Sequence, residues 1–107
     1  MGSDQNFIFN PDDDLQIKEK AEIREPKMFR VILHNDHYTT MEFVVEVLVK
    51  IFHKPSREAK GIMLDVHRRG SGQCGVYSLD IARTKVSQVH TLAQQHDFPL
   101  RCSYEEA

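Results

Sequence analysis

The apolar residues Val44, Val47, Leu48, Ile51 and Phe52 fall at i, i+3, i+4, i+7 and i+8. That spacing predicts an amphipathic helix of about 12 residues, which must lay one stripe against something else. Just before it, Phe29-Arg30-Val31-Ile32-Leu33 reads as a strand, ended by the turn chemistry of Asn35-Asp36. Thr39 and Glu42 have the spacing of a capping box at the helix start. Pro55 breaks the chain, and Ser56 is placed to cap a second helix with the face Ala59, Ile62, Met63, Val66. Gly70 suits its C-terminal stop, and Arg68 and Arg69 favour the negative end of its dipole. Gly70-Ser71-Gly72 reads as a loop and Cys74-Gly75-Val76-Tyr77 as a strand. Ser78 is placed to cap a third helix carrying Ile81, Ala82, Val86, Val89, Leu92 and Ala93. Pro99 closes a turn before a last strand, Leu100 to Tyr104. The order is β-α-α-β-α-β. Strands this few and short need helices over one face. The expected fold class is α+β: a small α/β sandwich, with a three-stranded, mainly antiparallel sheet and three helices.

Charge divides the chain. Residues 1–26 carry seven acids against three bases, leaving nine acids and eleven bases for residues 27–107. The first segment has few apolar positions and reads as a flexible acidic N-terminal extension ending at Pro26. Residues 27–107 form one domain, about 80 residues with a single modest core. A net charge of −2 carries no basic stripe for nucleic acid. No apolar run reaches membrane-spanning length, and residues 1–16 hold no signal-peptide core. Cys74 and Cys102 sit in apolar strand patterns and read as small buried hydrophobes of a reduced, cytoplasmic protein.

The polar stretch His34 to Met41 is the candidate site, since function concentrates on loops at element junctions. Asn35, Asp36 and a neutral imidazole supply acceptors for an ammonium group. Each residue also has a plainer reading. Asn35 and Asp36 suit a turn, Thr39 an N-cap, Met41 a filler, and His67 the boundary of an apolar stripe. A zinc site from His34, Asp36, His37 and His67 would need His34 and His37 to converge from a turn, and HExxH and CxxC are absent. A Cys–His nucleophile would need an exposed thiol. Gly70-Ser71-Gly72 lacks the lysine of a phosphate loop. No metal, cofactor or catalytic residue is expected.

The run Val31-Ile32-Leu33-His34-Asn35-Asp36-His37-Tyr38-Thr39-Thr40-Met41-Glu42-Phe43-Val44 is long and specific. With Met63-Leu64-Asp65-Val66-His67, Cys74-Gly75-Val76-Tyr77, Thr84-Lys85-Val86 and Phe98-Pro99-Leu100, it resembles the ClpS family, the N-degron adaptors of the ClpAP protease. The resemblance spans roughly residues 28–107. It implies a non-enzymatic adaptor that binds proteins beginning with Leu, Phe, Tyr or Trp. The adaptor passes them to the N-terminal domain of the AAA+ unfoldase ClpA, for degradation by ClpP. It also implies roles. Asn35 and His67 bond the client's α-amino group, Asp36 adds negative potential, and His37 reaches the amine through a water. Thr39 contacts the peptide backbone, and Met41 gates the pocket against β-branched side chains. Leu33, Val44, Met63, Val66 and Leu100 line the pocket, and Asp80, Thr84 and Lys85 face the unfoldase. The extension would help transfer the client. Two positions depart from the family pattern. His37 stands where a second acid is common, and Thr40 stands where a proline is common, which is expected to loosen the loop slightly. The competing reading is a regulator that binds the unfoldase and has no peptide pocket.

Overall fold

The computed structural model describes residues 26–107. The expected acidic extension lies outside the described residues except for Pro26. The elements are β1 (Met28–His34), α1 (Met41–Lys50), α2 (Ser56–Arg69), β2 (Ser71–Ser78), α3 (Leu79–Gln95) and β3 (Arg101–Glu106). The strands form one antiparallel sheet in the order β2-β1-β3. Fold class and element order are as the sequence indicates.

Alternation along β1 sets the layers. Val31 and Leu33 are completely buried and face the helices. Arg30, Ile32 and His34 point to the open face, where Arg30 pairs with Glu105 across the strands at 3.3 Å. His34 Nε2 lies 2.7 Å from Ser103 Oγ on the same face. The helices close over Val31 and Leu33 with Val44, Val47, Leu48, Ala59, Val66, Ala82, Val89 and Ala93, making one core. Phe43 packs on Phe98 with ring centroids 4.8 Å apart. At the sheet edge, His90 Nε2 accepts the Cys102 N–H at 3.0 Å, so α3 occupies a donor that an edge strand would otherwise expose.

Several local features differ from what spacing alone predicts. The N-cap of α1 is Thr40, not Thr39, and its Oγ1 accepts the Phe43 N–H at 3.1 Å. There is no Thr39–Glu42 capping box, because the Thr39 hydroxyl is held by Asp36 instead. Thr40 has φ −73°, which a proline ring also adopts, so the hydroxyl cap offsets the restraint a proline would give. Helix α1 runs ten residues rather than about twelve. At α2 the N-cap position is Pro55, with Ser56 already helical; Ser78 is the N-cap of α3, yet its hydroxyl makes no cap bond. Ile81 is about half exposed, outside the core face of α3. Ser71 and Gly72 are strand, paired with His34 and Leu33, not loop. Their pairing extends β2 beyond the apolar stretch, and Cys74 is the extra residue of a bulge between the Val31–Gly75 and Ile32–Gln73 pairs.

The turn after α1 places His53 at φ +56°. A residue with a Cβ pays about 1–2 kcal/mol in that region, and glycine pays none. His53→Gly is therefore expected to stabilise the domain by roughly 0.5–1 kcal/mol after its larger unfolded-state entropy. Urea titration monitored by circular dichroism checks this; a lower midpoint would refute it.

Candidate functional site

The loop between β1 and α1 is organised by one carboxylate. Asp36 Oδ1 accepts the N–H of Tyr38 at 2.8 Å and of Thr39 at 2.7 Å, and Oδ2 accepts the Thr39 hydroxyl at 2.7 Å. Partial burial alone would raise the Asp36 carboxyl. The Thr39 N–H and hydroxyl, the Tyr38 N–H and nearby His37 outweigh it and hold the group below the ordinary carboxylate value. Asp36 is thus charged, and the same bonds that lower it fix the loop.

Helix α2 closes the other side. The Asn35 N–H donates to the Gly70 carbonyl at 2.9 Å, tying the loop to the end of α2. Gly70 ends the helix at φ +92°, and its N–H donates to the Val66 carbonyl. Gly72 lets α2 lie close on β2: a Cβ there would stand 2.8 Å from Val66 Cγ2 and 3.1 Å from the Ile62 carbonyl oxygen. A strand glycine with a helix pressed on it is the signal for this contact, and a loop reading of 70–72 misses it. The C-terminal turn of α2 carries partial negative charge to the loop, opposing the positive end of α1.

Between loop and helix lies a cavity of about 490 Å³ lined by residues 35–41, Val44, Met63, Val66 and His67. Its lining has two characters. Asn35, Asp36, His37, Thr39 and His67 are polar; Met41, Val44, Met63 and Val66 are apolar. All four residues expected around an amine, the expected backbone contact Thr39, and four of the six expected pocket residues line this one cavity. Leu33 and Leu100 do not line it. They are buried in the core, Leu33 completely and Leu100 nearly so. A β1 side chain facing the helices enters the core that they close over the sheet. Tyr38 and Thr40, which belong to the same polar stretch, also line the cavity.

Other candidate chemistries fare differently. His34 faces Ser103 on the open side of the sheet, away from His37 and His67 in the cavity. No group of three potential metal ligands occurs among the described residues. Both thiols are buried, and burial pushes each up, Cys102 to about 12, so neither is a nucleophile. They sit on the two outer strands with β1 between, about 10 Å apart by strand spacing, too far for a disulfide.

Asp80, Thr84 and Lys85 lie on α3, outside the cavity lining. Asp80 is exposed, and the Thr84 hydroxyl donates to its carbonyl at 3.0 Å. Lys85 is half-buried. Its Nζ donates to the Ile51 carbonyl at 2.6 Å and stands 5.9 Å from the ring centroids of Phe52 and Tyr77. That ammonium caps the end of α1 and is already committed within the fold.

Residues 24–103 match the family described as ATP-dependent Clp protease adaptor protein ClpS. The chain belongs to the ClpS family. A ClpS-family relative from Syntrophus aciditrophicus, named an ATP-dependent Clp protease adapter protein, is 57% identical over 106 residues, 99% of each chain. One of the same name from Nitratidesulfovibrio vulgaris is 54% identical over 93 residues, 87% of this chain and 93% of its own. The solved structure of Agrobacterium tumefaciens ClpS2 bound to L-phenylalaninamide is 36% identical and superposes with TM-score 0.75, covering 78% of this chain and 100% of its own. Membership of ClpS makes this chain a Clp protease adaptor. None of its described helices is long and apolar enough to cross a membrane.

Proposed function

We propose that the cavity holds the first residue of a client protein, whose N-terminus marks it for degradation. The observation that carries this is the two-character lining: hydrogen-bond acceptors and apolar side chains around one cavity. An α-ammonium group has three donors and wants about three acceptors. Asn35 and a ring nitrogen of His67 supply two directly, and His37 reaches the third through a water. Asp36 gives the loop its charge, and Thr39 meets the client backbone. The client's first side chain then packs on Val44, Met63 and Val66 with Met41 above. The cavity is large enough for Leu, Phe, Tyr or Trp. The ligand of Agrobacterium ClpS2, L-phenylalaninamide, has a free amine, an aromatic side chain and an amide in place of a carboxylate, so it stands in for the first residue of a chain.

The adaptor acts by binding and makes or breaks no bond. It passes its client to the ClpA unfoldase, docking through the α3 surface at Asp80 and Thr84, and works beside its Clp partner in the cytoplasm. Lys85 contributes there through its packing against Phe52 and Tyr77.

Fluorescence anisotropy with three peptides tests the reading. A Leu-initiated peptide is expected to bind. A Ser-initiated one is expected to bind about 10- to 150-fold more weakly, from the lost side-chain burial. Acetylation of the Leu peptide removes the charge and adds bulk, and is expected to abolish binding. Equal signals from all three would leave the regulator without a peptide pocket.

Met41 opens α1 at the cavity mouth and is half exposed. Its flexible thioether narrows the space beside a branched Cβ. Met41→Ala is expected to admit Ile- and Val-initiated peptides with little change for Leu; an unchanged preference would remove Met41 from that role.

A further inference from the structure

Tyr38 is 78% exposed, more than any other large hydrophobic side chain among the described residues. Its main chain is nonetheless fixed. The N–H is held by Asp36 Oδ1 at 2.8 Å, and the next residue is held at both N–H and hydroxyl. An ordered anchor carrying an unpacked aromatic ring is a preformed platform, because little backbone entropy remains to be lost when something covers it. The platform lies at the cavity rim, three residues before Met41, itself 47% exposed.

We propose that Tyr38 reads the client's second residue. The inference rests on the function proposed above. With the first side chain packed on Val44, Met63 and Val66, the client chain leaves over the rim, where His37, Tyr38, Thr40 and Met41 form the loop side. The second side chain then meets a ring face beside a thioether. Groups that bind such a face are aromatic rings, by offset or edge packing, and the guanidinium of Arg, by cation–π attraction. The Asp36 carboxylate beneath the loop strengthens the preference for Arg. Selectivity at the first position and at the second thus sit on different residues around one cavity.

The test uses three Leu-initiated peptides that differ only in their second residue, Phe, Arg or Ser, titrated against the full chain and its Tyr38→Ala and Tyr38→Phe variants. The full chain is expected to favour Phe and Arg over Ser by about 3- to 10-fold. Tyr38→Ala is expected to erase that preference, bringing the Phe and Arg peptides to the level of the Ser peptide, and Tyr38→Phe to retain it. An equal loss for all three peptides in Tyr38→Ala would overturn the proposal, showing Tyr38 as loop support alone. So would a full chain indifferent to the second residue, or a Tyr38→Ala variant altered only in binding the unfoldase. If no Leu-initiated peptide binds the full chain, the amine-pocket reading itself fails and this inference falls with it.

Discussion

Asp36→Ala is expected to weaken binding of a Leu-initiated peptide by about 30- to 150-fold while leaving the sheet and helices folded. The carboxylate accepts three hydrogen bonds that hold residues 38 and 39 in place. Bonds to an ionised acceptor contribute about 1.5–3 kcal/mol each when shielded, and this group is part-exposed, so the set contributes roughly 2–3 kcal/mol. None of the three bonds belongs to the core, which is why the loss falls on the site and not on the fold. Asp36→Asn separates the two jobs of the residue. An amide oxygen keeps both N–H bonds, so the loop stays ordered, but the negative charge beside the client's ammonium is gone. Its loss is expected to be smaller than that of Asp36→Ala and largely suppressed at high salt. Isothermal titration at two ionic strengths checks both variants. A full-strength Asp36→Ala would show that the loop is held by something else.

The pH dependence follows from the same bonds. The folded carboxyl sits below its ordinary value, so the charged form is favoured by folding. The contribution is complete above the unfolded value of about 4 and disappears as pH falls through the lowered folded value. Loop order is therefore expected to be constant across neutral pH and to fail only in strong acid. Amide exchange of Tyr38 and Thr39 reports it directly.

Gly72→Ala carries the second large effect. The added Cβ meets Val66 Cγ2 at 2.8 Å and the Ile62 carbonyl oxygen at 3.1 Å. Val66 is β-branched and almost fully buried, and the Ile62 oxygen is helix backbone, so neither yields by a side-chain rotation. Helix α2 must shift as a body. Overpacking of this kind costs about 1–3 kcal/mol, or roughly 5–20 °C in melting temperature for a domain of this size. Met63, Val66 and His67 move with the helix, so peptide affinity is expected to fall together with stability. Gly61→Ala is the matched control. Nothing lies within 4 Å of its Cβ position, and it sits inside α2, so that change is expected to stabilise by about 0.5–1 kcal/mol. Thermal melts of the two variants should move in opposite directions. A Gly72→Ala protein as stable as its parent would refute the close approach.

Those contacts show what a linear reading can and cannot see. The stripe Val44, Val47, Leu48, Ile51 reported its own burial, because periodicity is a property of one helix against any core. It reported equally well that Leu33 is apolar and inward. It did not report that Leu33, completely buried, and Leu100, nearly so, lie outside the cavity lining. Thr39 and Thr40 are adjacent hydroxyls with almost the same local chemistry. Which one caps α1 was decided by Asp36, whose carboxylate claims Thr39 and leaves Thr40 for the Phe43 N–H. Gly72 looked like loop because a glycine between Ser71 and Gln73 carries no strand signal of its own. Its pairing with Leu33 and the helix above it are both long-range.

The sequence by itself determined the order of elements, the helix faces and the polar stretch His34–Met41, since each depends on spacing within a few residues. Only the tertiary structure decided that His67, Met63 and Val66 meet that stretch across one cavity. The meeting depends on α2 lying close enough over Gly72 for the Asn35 N–H to reach the Gly70 carbonyl, a contact between segments distant in the chain that no local pattern encodes.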